Sequence, residues 1–222
     1  MSIQGPNPSD PAFSIADRPD PALAIARYRA LAAGYDATAR RSMPARLRTI
    51  ERLALQPGDA VLDVGCGTGL SFAPILARIG PGGRLVGVEL SPEMAALARE
   101  RCEREGWRNV ALLESTVEEA PLGGRFDKVL FHCAHDVLRS PRALERIFAA
   151  TSPGARVAAA GMKLGPWWAA PLNPLVRRRA RPYMTTFEGL ARPWSLLEGY
   201  LSGFEWESRN FGSGWIGWGR RA

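Results

Sequence analysis

The chain has 222 residues, 46% of them hydrophobic, and a formal charge of +7. That length suits one domain with a single large core, or a domain plus a cap, and the composition excludes a disordered or low-complexity chain. The charge is almost all arginine, since only Lys128 and Lys163 are lysines; it could serve an anionic substrate, a nucleic acid or an acidic membrane surface, but the only dense cluster is Arg177-Arg178-Arg179 with Arg181, so most of it reads as solvated helix faces.

The longest apolar stretch, Met162 to Val176, is broken by Gly165, Pro166, Pro171 and Pro174, so no transmembrane helix is predicted there. Met1 to Pro11 is polar and proline-rich without an apolar run, which predicts no secretory signal. Cys66, Cys102 and Cys133 have no metal-binding spacing and read as reduced thiols of a cytoplasmic protein. Residues 1–20, with four prolines, predict a loose arm. Ala22 to Arg41 is alanine-rich, with Tyr28, Leu31, Ala32 and Tyr35 at helical spacing. A second helix is expected over Pro44 to Leu55, with Leu47, Ile50, Leu53 and Ala54 inward.

Gln56-Pro57-Gly58-Asp59 is a turn, and Ala60 to Val64 a first strand. It opens into Gly65-Cys66-Gly67-Thr68-Gly69 and a helix facing inward through Phe72, Ile75, Leu76 and Ile79, with a kink expected at Pro74. Arg84 to Glu89 reads as a second strand ending on a carboxylate. Ser91-Pro92 caps the next helix, which buries Met94, Leu97, Ala98 and Cys102. Asn109 to Leu113, Phe126 to Phe131 and Ala155 to Ala160 are further strands, with a helix capped by Ser140-Pro141 before the last. Strands alternating with helices predict a doubly wound α/β fold. The tail holds six of the seven tryptophans. It reads as a basic, proline-broken insert (165–183), a helix over Pro193 to Leu201, and two strands near Phe204 to Ser208 and Gly214 to Gly219. The sum is a seven-stranded, mostly parallel sheet with an antiparallel edge.

In such a sheet, ligands bind beyond the carboxyl ends of the strands. Four stretches fall there: Asp63 to Gly69, Glu89, Ser115-Thr116-Val117, and His132 to Asp136. Glycines let backbone approach a ligand without a Cβ clash, and Glu89, 20 residues after Gly69, stands where a carboxylate can accept from both hydroxyls of a ribose. A dinucleotide fold is the rival, but its fingerprint is G-x-G-x-x-G. This loop is G-x-G-x-G with Asp63 two residues ahead, which suits a cofactor with a free ammonium.

Val61 to Gly69, Gly87-Val88-Glu89-Leu90-Ser91-Pro92-Glu93-Met94, Glu118-Glu119-Ala120-Pro121, Phe126-Asp127 and Ser152-Pro153-Gly154 together resemble the class I S-adenosylmethionine-dependent methyltransferases, over roughly residues 28–160. The resemblance is nearest to the small-molecule branch that includes quinone and lipid methyltransferases. It implies a Rossmann-like fold and S-adenosylmethionine as cofactor. Gly65, Cys66, Gly67 and Gly69 would pass under its methionine part, and Asp63 would organise its amino group or nearby water. Glu89 would hold the ribose; Leu90, with Met94 after it, would pack at the adenine. Thr116 and Val117 would flank the adenine edge, Thr116 standing where the family often has an aspartate. Tyr28, Tyr35 and Asp36 resemble lid residues. Residues 1–55 would then be arm and lid, 56–160 the cofactor-binding core, and 161–222 a substrate cap with the closing strands of the same domain.

His132 and His135 are the only histidines. At the exit of the fourth strand either could be the general base, with His132 also meeting the cofactor; two histidines and Asp136 lack a convincing ligand set, so no metal is expected. The chain lacks the Asn/Asp-Pro-Pro-aromatic run of base-amine methyltransferases, which disfavours a nucleic-acid substrate. Trp167, Trp168, Tyr183, Phe187 and Trp194 would cover the cleft, stacking on a planar acceptor or facing an amine. The expectation is methyl transfer to oxygen or nitrogen of a small aromatic or amine-bearing molecule. The alternatives are a lipid or quinone methyltransferase, with Trp167-Trp168 and Arg177-Arg178-Arg179 as a peripheral membrane contact, and a non-catalytic cofactor-binding partner protein. The sequence leaves acceptor and oligomeric state open.

Overall fold

A computed structural model describes residues 15–222; most of the expected N-terminal arm lies outside the described residues. The strands are β1 (Ala60–Val64), β2 (Arg84–Glu89), β3 (Val110–Glu114), β4 (Phe126–His132), β5 (Thr151–Met162), β6 (Leu201–Arg209) and β7 (Gly214–Arg221). They form one sheet in the order β3-β2-β1-β4-β5-β7-β6. The β1–β5 pairings are parallel, while β7 lies antiparallel between β5 and β6. The antiparallel member is thus one inserted strand, and β6 at the edge runs in the direction of the parallel set. The strand order reverses between β1 and β4, which opens a crevice beyond their carboxyl ends.

Period-two alternation sorts the strand side chains into two cores. Leu62, Val64, Val129 and Phe131 face one way, against Leu144, Ile147 and Phe148 of the helix Pro141–Ala149. Val61 and Leu130 face the other, against Ile50, Leu53, Phe72, Ile75 and Ile79. Each such side chain, fully buried, contributes roughly 1.5–3 kcal/mol. Asp63 and His132 share the parity of Val61 and Leu130, so the strands themselves direct both toward the second face.

The helices are α1 (Pro21–Leu31), α2 (Tyr35–Ala39), α3 (Met43–Arg52), α4 (Phe72–Ile79), α5 (Pro92–Glu105), α6 (His135–Leu138), α7 (Pro141–Ala149) and α8 (Asn173–Ala180). Ser91 and Ser140 accept from Met94 N (3.4 Å) and Ala143 N (3.2 Å), capping α5 and α7 as expected.

Several expectations are corrected. The single helix over 22–41 is broken by tight turns at Ala32–Gly34 and Arg40–Ser42; Gly34 leaves helical geometry (φ −114°, ψ 3°), and glycine is a poor helix former. The inward face of α3 is Arg46, Thr49, Ile50 and Leu53, with Leu47 exposed, because Arg46 turns in to meet a polar partner. Helix α4 starts only at Phe72, so Pro74 sits in the first turn, where a missing N–H breaks no helical bond, and the expected kink loses its cause. Residues 193–201 form turns and one tight turn, Leu197–Tyr200, rather than a helix. There Trp194 and Leu197 are buried against the sheet, and Leu201 is held extended by pairing with Arg221.

Candidate active site

A cavity of about 600 Å³ opens beyond the carboxyl ends of β1, β2 and β4, within the roughly 300–1,000 Å³ range of small-molecule sites. One part of its wall is Gly65, Gly67, Glu89, Leu90, Met94, Thr116 and Val117; another is Tyr28, Tyr35, His132, Cys133, His135 and Tyr183. The strand ends bring these distant stretches together.

Glu89, at the end of β2, accepts from Gly67 N and Ser91 N, each at 2.8 Å. These amides fix the carboxylate, and its remaining acceptor capacity suits a vicinal diol. Burial raises its pKa, against the lowering effect of the amides of Ser91, Gly67 and Leu90. Gly65 and Gly67 have φ of +66° and +58°, the left-handed region that glycine enters without strain. A Cβ on Gly67 would sit in ordinary contact with Met94 and Tyr35, which places this loop between those two side chains.

The lid is closed. Asp36 accepts from Thr68 Oγ1 at 2.5 Å and from Arg101, while Arg101 Nε donates to Thr68 O at 2.8 Å. Tyr28 and Tyr35 meet edge to face with centroids 6.2 Å apart, and Tyr28 donates to Tyr183 O at 3.0 Å. Burial raises both phenol pKa values well above the ordinary range, so both hydroxyls keep their protons.

Three expected cofactor residues do not line the cavity. Asp63 is buried beneath it, hydrogen-bonded to Ser71 and close to Arg46, with Oδ2 unpartnered among the described residues. Arg46 itself donates to Ser71 Oγ at 2.6 Å. Burial raises Asp63 to about 7, against the pull of Arg46 and Ser71. Cys66 packs against Gly87 in the core, and Gly69 is covered by Phe72. Thr116 does line the cavity, with its hydroxyl donating to Glu119 Oε2 at 3.2 Å.

The two histidines differ. His132 is buried, and neither ring nitrogen has a hydrogen-bond partner among the described residues. Burial, reinforced by Arg46, holds its pKa well below the ordinary imidazole value. His135 places Nε2 3.1 Å from Glu188 O, and next to it Asp136 accepts from Thr185 N and Thr185 Oγ1 (2.8 and 2.7 Å to Oδ2). His135 and Asp136 thereby hold the 184–188 segment over the cavity. Burial lowers the His135 pKa too, with Asp136 opposing.

Of the five aromatics expected over the cleft, only Tyr183 lines it. Trp194 is buried between Trp206 and Trp215, with centroids 4.5 and 5.0 Å away. Phe187 packs with Met184 and Leu190, and Trp167 and Trp168 are exposed to solvent. Residues that sequence reasoning missed are Arg46 and Ser71. Arg46 shares helical spacing with Thr49, Ile50 and Leu53, but a charge at that spacing reads as solvent-facing. Cys133, at φ +63° in the turn after β4, lies within the expected His132 to Asp136 stretch, where it had no separate role.

Comparison with known proteins agrees with this geometry. Residues 61–154 match a family described as a methyltransferase domain. The chain is 46% identical over 63 residues to protein-L-isoaspartate O-methyltransferase of Aeropyrum pernix, covering 28% of this chain and 24% of that protein. It is 28% identical over 116 residues to demethylmenaquinone methyltransferase of Lactococcus lactis subsp. lactis, covering 50% and 45%. The chain spans less than half the length of these curated relatives. A crystal structure of a SAM-dependent methyltransferase from Aquifex aeolicus superposes with a TM-score of 0.60 at 20% identity, covering 80% of this chain and 89% of that one. Residues 61–154 are thus similar to a methyltransferase domain, and the fold is the Rossmann-like one shared with that solved methyltransferase.

Proposed function

We propose that this chain transfers a methyl group from S-adenosylmethionine to an oxygen or nitrogen of a small organic acceptor. The observation that carries the reading is that one cavity holds both an amide-fixed carboxylate, Glu89, and an unpaired neutral imidazole, His132. S-adenosylmethionine, when bound, supplies an electrophilic methyl on a sulfonium. The residues present fit it: Glu89 for the ribose diol, Leu90 and Met94 for the adenine, and Gly65 and Gly67 as backbone open to close approach.

The protein then has two tasks, to place the acceptor in line with the methyl and to take up the proton an oxygen or amine acceptor releases. Tyr28, Tyr35 and Tyr183 offer aromatic edges and faces to a planar or cationic acceptor, a role the tryptophans of the tail do not fill. His132, neutral at physiological pH, takes the proton. His135, engaged with Glu188 O, positions the covering segment. The three unpaired thiols support a reducing, cytoplasmic setting, and among the described residues no helix is long and apolar enough to cross a membrane.

The test is label transfer from methyl-labelled S-adenosylmethionine into metabolite extract, read by mass. His132→Ala is expected to slow transfer about 10²–10⁴-fold with cofactor affinity kept. Full turnover by His132→Ala would remove the base from the mechanism and leave positioning alone.

A further inference from the structure

Among the described residues, seven large hydrophobic side chains are exposed, and five of them fall in two stretches of the tail. Trp167 is 88% exposed, Trp168 60%, Leu172 60%, Leu175 45% and Phe211 94%. Local bonds bring the two stretches together. Lys163 N donates to Ser213 O at 3.0 Å, joining the end of β5 to the β6–β7 hairpin. Gly212 packs so closely on Pro166 that a Cβ there would lie 2.6 Å from the proline ring. Gly165 N donates to Asn173 Oδ1 at 2.7 Å, closing the 165–173 turn onto the start of α8. Phe211 therefore stands beside the Trp167-Trp168 turn, and both adjoin α8.

The exposed side chains are presented, not merely left out. Ala169 is buried and seats the turn, while Val176 and Ala180 seat α8. Phe211 has φ +53°, between Asn210 at +49° and Gly212 at +90°. Left-handed geometry is unfavourable for a bulky residue, and here it holds a phenylalanine in solvent. Arg177, Arg178 and Arg179 are exposed in the last turn of α8, and no ion pair or hydrogen bond of their side chains is found among the described residues.

We propose that this surface docks on an anionic lipid bilayer, with Trp167, Trp168 and Phe211 entering the interfacial zone and Arg177, Arg178 and Arg179 meeting lipid phosphates. Indole rings favour the headgroup boundary, and arginines beside an inserted apolar face add attraction to anionic lipid. The charge decides against a second copy of this chain, since a two-fold contact through the patch would crowd unpaired arginines together. Leu172 and Leu175 decide against a nucleic acid, which aliphatic side chains cannot stack upon. Three residues beyond α8, Tyr183 lines the cavity, so docking sets its mouth near the lipid.

The test is co-sedimentation of the full chain with phosphatidylcholine vesicles, with and without phosphatidylglycerol, at low and high salt. Binding is expected only with the anionic lipid and should weaken with salt. The triple neutralisation Arg177→Gln/Arg178→Gln/Arg179→Gln should weaken it about a hundredfold, at about fivefold per arginine. Trp167→Ala/Trp168→Ala should abolish detectable binding, and brominated lipid should quench wild-type tryptophan fluorescence but not that of the double variant. All these side chains are exposed, so unchanged thermal melts will show that the variants fold. Absence of binding to anionic vesicles overturns the proposal, as does binding that both variants retain. Self-association or RNA binding that needs the same residues, without vesicle binding, overturns it equally.

Discussion

At the scale of single residues, the site separates polar groups by what they are left to do. Asp63 is directed by strand parity into a buried cluster with Ser71 and Arg46, and its carboxyl is raised from 3.8 to about 7. Between those values the folded protein holds a proton that the unfolded chain has released, so stability is lost as pH rises through that window. Asp63→Asn should flatten the slope, measured by urea unfolding at about pH 5 and about pH 7; an unchanged slope would place the carboxyl's ordinary titration back in the folded state. His132 ends β4 and His135 opens α6, and sequence offered either as the base. The structure gives His135 a backbone partner at Glu188 and His132 none among the described residues. His135→Ala is accordingly expected to cost stability of about 1 kcal/mol and to loosen the 184–188 segment, seen as faster amide exchange there.

At the scale of elements, the N-terminal helical segment expected to act as a lid is the feature that sequence periodicity approached and missed. Tyr28 and Tyr35 lie seven residues apart, which suggested one helix; instead Gly34 breaks it and the rings meet edge to face across the break. Asp36 latches the second piece onto the glycine loop through Thr68 and Arg101. Asp36→Ala should lower stability by about 1 kcal/mol or less, because the pair with Arg101 is partly exposed. It should also weaken cofactor binding about five- to tenfold by freeing the lid, since each factor of ten is only about 1.4 kcal/mol. Calorimetry and thermal melts separate the two effects, and unchanged affinity would make the latch structural only. Helix α3 carries the same lesson: apolar spacing selected Leu47, but a buried polar partner turned Arg46 inward instead. Periodicity reads hydrophobic faces and is blind to a charge that has its partner waiting on another element.

At the scale of the whole molecule, the parallel core was legible because each signal agreed with the next. Buried β-branched strands, serine-proline helix caps and positive-φ glycines all point to one doubly wound sheet, and the carboxyl ends of its strands locate the cavity. The tail was less legible. Its tryptophans are placed by long-range sheet packing, which buries Trp194, Trp215 and Trp218 and leaves Trp167 and Trp168 in solvent; no local pattern encodes that division. The lining of the cavity by Arg18 and Arg142 likewise arises only from chain crossings. What ties the molecule to its proposed chemistry is the carboxylate at the end of β2. Titration calorimetry of S-adenosylmethionine into the wild-type protein and into Glu89→Ala tests it most directly. One site is expected in the wild type, with affinity about ten- to a hundredfold weaker in the variant, as loss of charged hydrogen bonds of roughly 1.5–3 kcal/mol requires. Absence of binding to the wild type, or equal affinity in both proteins, would contradict the account.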